Sequence, residues 1–181
     1  MARLKMIDPA AAAGKAKELL DAVQAKLKIT PNMTRAMANS PAVLEGYLAF
    51  SGALSGGSLG VRLREQIALA VAELDGCEYC LSAHTAIGRM AGLTEAEIAA
   101  SREGTPEDAR TAAALRFVRE VVRSQGRAGE ESVNAVRSAG FSDGEIAELL
   151  ANVALNLFTN YFNNVAGVDV DFSRVAPREA A

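Results

Sequence analysis

The chain has 181 residues, of which half are apolar and only 5% aromatic, and its formal net charge at pH 7 is −3. This length suffices for one filled core. The weakly acidic balance gives no basic surface for nucleic acid or an anionic membrane, so we expect neither partner. Abundant alanine and short β-branched runs favour packed helices over a sheet, and we expect an all-α protein.

The N-terminal third contains three helix starts that each carry a proline. Asp8-Pro9 predicts a helix that continues to about Lys28, with the aspartate as N-cap. Thr30-Pro31 and Ser40-Pro41 are two further starts of the same kind. Residues 55–58, Ser-Gly-Gly-Ser, form the clearest break in the chain.

The central part predicts two helices joined by a tight turn. A strongly apolar run from about Val61 to Leu74 predicts a helix that ends at Asp75-Gly76, where glycine suits a left-handed backbone. Either Asp75 or Gly76 could cap the next helix, which covers residues 77–90. A further helix begins at Thr94, which with Glu97 has the pattern of a capping box.

The C-terminal part predicts three helices and an irregular tail. Thr105-Pro106 begins a long helix through Val122, residues 129–139 form another, and Ser142 begins the last one, to about Ala166. The tail from Val168 is expected to be extended or irregular. Residues 89–98 and 137–146 resemble each other, each with a Gly turn before a capping box. A common turn between helices explains this better than an ancient duplication.

These elements predict a single domain over residues 1–181. We divide it into N-terminal helices 1–58, a core 59–104, C-terminal helices 105–172 and a tail 173–181. The first nine residues contain no apolar stretch typical of a signal peptide. The apolar segments carry Glu or Asn, which argues against a transmembrane helix, and we expect a cytoplasmic protein.

Both cysteines and the single histidine fall within one window of eight residues, Cys77 to His84. If the window is helical, Cys77, Cys80 and His84 lie one turn apart in succession and share a face. A helix N-terminus favours the thiolate form of cysteine. The pattern is typical of a dithiol that cycles between reduced and oxidised forms beside a base.

Two carboxylates of the preceding helix could belong to the same site. If the two helices pack antiparallel, Glu65 could reach His84 and fix its tautomer. Glu73 lies about two turns further along and could also face the site. Tyr79 is expected to serve packing. A zinc site is not expected, because the chain has no second Cys-X-X-Cys pair and the spacing on one helix is too tight.

Local physics leaves the choice of nucleophile open. The helix dipole favours Cys77, which is nearer the helix start, whereas His84 at i+4 favours Cys80.

The segment Arg-Glu-Gln-Ile-Ala-Leu-Ala-Val-Ala at residues 64–72, followed by Cys-Glu-Tyr-Cys and His84, resembles the alkyl hydroperoxidase D (AhpD)-like proteins of the carboxymuconolactone decarboxylase superfamily. The Asn-rich stretch of residues 152–172, which contains residues 160–167, is similar to the peroxidase-related subgroup. The resemblance implies an AhpD-like helical bundle with the CxxC at the start of a core helix. It also implies a cofactor-free hydroperoxide reductase.

The same resemblance implies roles for individual residues. Cys80 would be the peroxidatic thiol, Cys77 the resolving thiol, and His84 with Glu65 the proton relay. The implied partners are a hydroperoxide substrate, a lipoyl or thioredoxin-like dithiol donor, and further copies of the chain in a dimer, trimer or hexamer. The best-characterised members carry a histidine where this chain has Tyr79. A phenol with a pKa of about 10 can donate a hydrogen bond but cannot replace that relay arm. We nevertheless count Tyr79 in the candidate catalytic site, which consists of Cys77, Tyr79, Cys80, His84 and Glu65.

Three other functions compete with a peroxidase. The first is a dithiol oxidoreductase or redox sensor without efficient peroxidase activity. The second is a decarboxylase-like activity, which needs no cycling dithiol, and the third is a helical module with a metal clip. The asparagines at helical spacing are expected to bond neighbouring backbone in the core or at a subunit interface, and to line the redox cavity only as a second possibility. They are Asn152, Asn156, Asn160, Asn163 and Asn164.

Overall fold

The computed structural model describes residues 2–178, which contain nine α-helices and no strand. The all-α expectation is therefore confirmed. The helices are α1 Gly14–Leu27, α2 Asn32–Met37, α3 Pro41–Ser55, α4 Val61–Leu74, α5 Glu78–Met90, α6 Glu95–Glu103, α7 Ala109–Arg123, α8 Glu130–Ser138 and α9 Asp143–Ala166.

Helix α4 is the centre of the bundle. It contacts α5, α6, α7 and α9, and every residue from 66 to 73 is buried. A helix that is apolar nearly all round is stable only when neighbours cover all its faces. Because α4 carries Glu65 and is followed directly by the CxxC segment, the best-packed helix of the protein also supports the candidate site.

The turn between α4 and α5 brings the two helices together as an antiparallel pair. Gly76 has φ of 61°, in the left-handed region that favours glycine, as the sequence predicts. The expected cap of α5 is wrong, because neither Asp75 nor Gly76 is the N-cap. The N-cap is Cys77, whose Sγ accepts a hydrogen bond from the Cys80 amide at 3.2 Å. Cys77 therefore precedes the helix, and Cys80 lies in its first turn.

Most other predicted boundaries hold, and two helix starts are wrong. Helix α1 begins at Gly14, because Asp8 Oδ1 accepts from the Ala10 amide and closes a turn there instead of capping a helix. Asp108 is the N-cap of α7, because its side chain accepts a hydrogen bond from the Thr111 amide at 2.7 Å, and the helix therefore begins at Ala109.

Both predicted capping boxes are present. Thr94 with Glu97 and Ser142 with Glu145 exchange the reciprocal hydrogen bonds of this motif. In each case the apolar residue before the cap and the isoleucine after it are buried in the same cluster, Leu93 with Ile98 and Phe141 with Ile146.

The tail from residue 168 is irregular, as expected, but it is fastened to the bundle. Asp171 Oδ2 accepts from the Asn32 amide at 2.6 Å, and the Val175 amide donates to Ser82 Oγ at 2.9 Å. Val170, Phe172 and Val175 pack against the apolar cluster that contains both cysteines. The tail thus covers one side of the CxxC segment. None of the helices between residues 2 and 178 is both long and apolar enough to cross a membrane.

Candidate redox site

Cys77 and Cys80 form a disulfide, with their Cα atoms 5.3 Å apart. The two sulfurs differ in their surroundings. Cys77 is fully buried, whereas Cys80, at 2% exposure, lines a cavity of about 410 Å³. A small molecule in the cavity would therefore meet the sulfur of Cys80 and not that of Cys77.

The cavity lies between α1, α3, α5 and α9 and has a mainly apolar wall with few polar groups. Residues with apolar side chains include Val23, Leu27, Met33, Leu48, Ala83, Ile87 and Phe172. Tyr47, Glu65, Tyr79, His84 and Asn163 bring polar groups to the lining, which also includes Lys26, Thr34, Ser51 and Thr159. An apolar cavity with a few convergent polar groups is the usual form of a small-molecule site.

Glu65 and His84 form a hydrogen-bonded pair beside Cys80. His84 Nδ1 lies 2.8 Å from Glu65 Oε2, and the side chains are 23% and 13% exposed. An ionised carboxylate can only accept, so Nδ1 carries the hydrogen of this bond. The neutral ring then keeps a lone pair on Nε2, which is the arrangement of a base held in one tautomer.

Tyr79 is a buried phenol at the edge of the cavity. Burial, followed by the negative charge of Asp171, raises the pKa of Tyr79, so the hydroxyl stays protonated. Its oxygen accepts from the Met33 amide at 3.3 Å, and the ring packs edge-on against Phe172 with 5.8 Å between centroids. Tyr79 thus links α2 and the tail to α5, and it also lines the cavity.

Glu73 does not face the site, which corrects the expectation that it could. Its Oε2 is 2.5 Å from Arg102 Nε, and its Oε1 accepts from the Arg178 amide at 2.5 Å. The carboxylate therefore binds α6 and the tail and does not line the cavity.

The asparagines of α9 have divided roles. Asn152 and Asn156 donate to backbone carbonyls one turn back, as expected, and Asn164 donates to the carbonyl of Asp75. Asn160 donates to the Asp75 carboxylate at 2.9 Å. Asn163 Nδ2 lies 3.3 Å from Cys80 Sγ, so this asparagine belongs to the cavity. In the sequence, the helical spacing of the asparagines was the only signal that one of them could line the cavity.

Tyr47 of α3 is a cavity residue that no sequence motif indicates. It lines the cavity together with Glu65 and His84. Burial raises the pKa of Tyr47, and the negative charge of Glu65 raises it further. Its hydroxyl is therefore a proton or hydrogen-bond donor at neutral pH.

Among residues 2–178, no three His, Cys, Asp or Glu side chains cluster as the ligands of a metal ion would. The geometry therefore defines a class of protein: a helical protein with a CxxC disulfide at the N-terminus of a core helix and a Glu–His pair beside the second cysteine.

Comparison with known proteins agrees with this class. Residues 41–123 match the model of the carboxymuconolactone decarboxylase family, and none of the curated proteins matches the sequence. These residues, which include Glu65 and the whole CxxC segment, are therefore a carboxymuconolactone decarboxylase family domain, and the chain has the AhpD-like helical fold. The resemblance inferred from the sequence is confirmed.

Solved structures extend the likeness over nearly the whole chain. An alkylhydroperoxidase AhpD core, an uncharacterized peroxidase-related protein from Ralstonia eutropha JMP134, has a TM-score of 0.85 at 24% identity, over 94% of this chain and 92% of that one. An uncharacterized peroxidase-related protein from Silicibacter sp. TM1040 has a TM-score of 0.81 at 25% identity, with coverages of 92% and 88%. The debrominase Bmp8, as a cysteine-to-alanine variant in complex with 2,3,4-tribromopyrrole, has a TM-score of 0.79 at 18% identity, with both coverages 94%.

Proposed function

We propose that the protein is a cofactor-free hydroperoxide reductase that uses Cys77 and Cys80 as a redox-active dithiol. The observation that carries this proposal is the position of Cys80, which alone of the two cysteines lines the cavity and shares it with His84 and Glu65. The carboxymuconolactone decarboxylase domain and the AhpD-like fold support it.

The first step is oxidation of Cys80. His84 takes the thiol proton through Nε2, with Glu65 holding the ring by Nδ1. The thiolate attacks the terminal oxygen of the hydroperoxide, the O–O bond breaks, and the leaving alkoxide takes the proton from His84 to become an alcohol. Cys80 is then a sulfenic acid.

The second step closes the disulfide. Cys77 attacks the Cys80 sulfur, water leaves, and the observed disulfide forms. Two thiols and one hydroperoxide thus give one disulfide, one alcohol and one water. A dithiol donor, of lipoyl or thioredoxin type, would reduce the disulfide by exchange and be oxidised itself.

Sulfenic acid trapping tests these roles. In Cys77→Ser the resolving thiol is gone, and peroxide should leave a trappable sulfenic acid on Cys80. The matched variant Cys80→Ser should form none on Cys77 at a comparable rate. In the unchanged protein, peroxide should remove both thiols without covalent dimers. Sulfenylation of Cys77 alone would reverse the assigned roles.

The competing function is a dithiol oxidoreductase or redox sensor. Tyr79 favours this function, because it stands where the best-characterised relatives have a histidine. Its raised pKa keeps the phenol protonated, so it cannot accept a proton in the relay. Stopped-flow measurement of peroxide consumption separates the two, because a sensor would react slowly with peroxide while exchanging quickly with a dithiol donor.

A further inference from the structure

Asn163 contacts the sulfur that carries the proposed chemistry. It lies on α9, 83 residues after Cys80, and is 3% exposed. Its Nδ2 is 3.3 Å from Cys80 Sγ and 3.3 Å from Met33 Sδ. Both are sulfur atoms, and sulfur in a disulfide or thioether is a weak acceptor.

The arrangement is unfavourable if Asn163 serves only the fold. Asn163 Oδ1 is buried and has no hydrogen-bond partner. A buried amide whose NH₂ group finds only weak acceptors and whose oxygen finds no donor carries an energetic penalty. By contrast, Asn152 and Asn156, on the same helix, donate to backbone carbonyls at 2.8 Å. A leucine would fill the position of Asn163 without an unpaired polar atom.

The penalty is offset when Cys80 is reduced and ionised to a thiolate. A thiolate is a full negative charge, and an N–H that donates to a charged acceptor forms a bond about twice as strong as a neutral one. Cys80 is the third residue of α5, so the positive end of that helix acts on the same sulfur. The amide and the helix N-terminus approach Cys80 from different elements.

We propose that Asn163 is a further catalytic residue, which binds the thiolate of Cys80 through its Nδ2 group and so holds the nucleophile ready in the cavity. This inference rests on the proposed assignment of Cys80 as the reacting cysteine. It adds to the Cys–His–Glu set a residue that lies outside the matched family domain, residues 41–123.

The test is a titration of Cys80 in a Cys77→Ser background, where Cys80 is the one remaining thiol of the chain. Serine retains the N-cap function of residue 77. Thiolate absorbance and the pH dependence of alkylation both report the ionisation of Cys80. Asn163→Ala and Asn163→Leu should each shift the titration to higher pH, with the thiolate fraction below the midpoint falling about tenfold. Peroxide oxidation of Cys80 should slow by a similar factor.

The matched control is Asn156→Ala, which removes an equally buried asparagine from the same helix without touching sulfur. It should leave the Cys80 titration unchanged. If the Asn163→Leu protein is folded and Cys80 titrates as before, Asn163 is a structural amide and the inference is overturned. The same holds if the control shifts the titration equally. A shifted titration in a protein that does not reduce peroxide would support the inference while refuting the proposed function.

Discussion

The buried ion pair between Glu73 and Arg102 fastens the tail over the CxxC segment, and its removal gives the sharpest test of the structure. Both side chains are about one-tenth exposed. Arg102 Nη2 also donates to the Ala176 carbonyl at 2.8 Å, and Glu73 accepts from the Arg178 amide. Glu73→Ala leaves the guanidinium buried without its carboxylate. We expect a loss of about 3–5 kcal/mol in the free energy of unfolding.

The same variant should expose Cys77. The cluster that buries this cysteine includes Val170, Phe172 and Val175 of the tail. The variant removes the tail's bond to Glu73, and Arg102, which holds the Ala176 carbonyl, loses the carboxylate that orients it. If the whole loss falls on local opening of the tail, the open population rises about 10²- to 5 × 10³-fold. In a Cys80→Ser background, alkylation of Cys77 should accelerate in proportion.

Urea unfolding of the reduced protein and timed alkylation measure the two effects. The control is Asp21→Asn, which breaks the exposed Lys17–Asp21 pair and should cost about 0.5 kcal/mol or less. The double variant Glu73→Leu with Arg102→Leu should recover most of the stability, because no charge is left buried, and should still expose Cys77. If Glu73→Ala unfolds at the same urea concentration as Asp21→Asn, or leaves Cys77 protected, the reasoning is refuted.

Three further predictions follow from the site and the surface. His84→Ala should slow oxidation of Cys80 about 10²- to 10⁴-fold in stopped flow, and Glu65→Gln less, whereas an unchanged rate would exclude a base role. Because burial raises the pKa of Tyr79, the phenol ionises more readily in the unfolded state, and the free energy of unfolding should fall above a pH of about 10. Tyr79→Phe should lessen this alkaline loss of stability, measured as urea midpoints, and an equal loss in the variant would contradict the reasoning. Sedimentation at low micromolar concentration should show no major monomer, since Phe158, Tyr161 and Val165 of α9 are exposed; a clean monomer would contradict the proposed oligomer.

The sequence alone predicted the local part of the site well. Glu65 and His84 lie on consecutive helices joined by Asp75-Gly76, and a short turn makes such helices antiparallel neighbours. Their contact at 2.8 Å follows from helical spacing on each side of one turn. The glycine turn and both capping boxes were equally local signals, because each depends on residues only a few positions apart.

The parts that were missed depend on contacts between distant segments. Tyr47 and Asn163 reach the cavity from α3 and α9, and no local pattern fixes how these helices are rotated against α5. The capping of α5 by Cys77 was missed for another reason. Cysteine is not among the usual capping residues, and two better candidates, Asp75 and Gly76, immediately precede it.

The structure gives a physical reason why the two cysteines should divide the reaction, although the helix dipole alone favours Cys77. A thiolate must touch the peroxide to react, and only Cys80 lines the cavity. Cys77 has no such access, but its sulfur accepts the Cys80 amide at the start of α5, where a negative charge is stabilised. A sulfur whose thiolate is stabilised is a good leaving group in disulfide exchange. In the proposed cycle a donor thiol attacks Cys80 from the cavity, and Cys77 would leave readily as a stabilised thiolate. The helix dipole, which alone favours Cys77 as nucleophile, would then serve the reductive half of that proposed cycle.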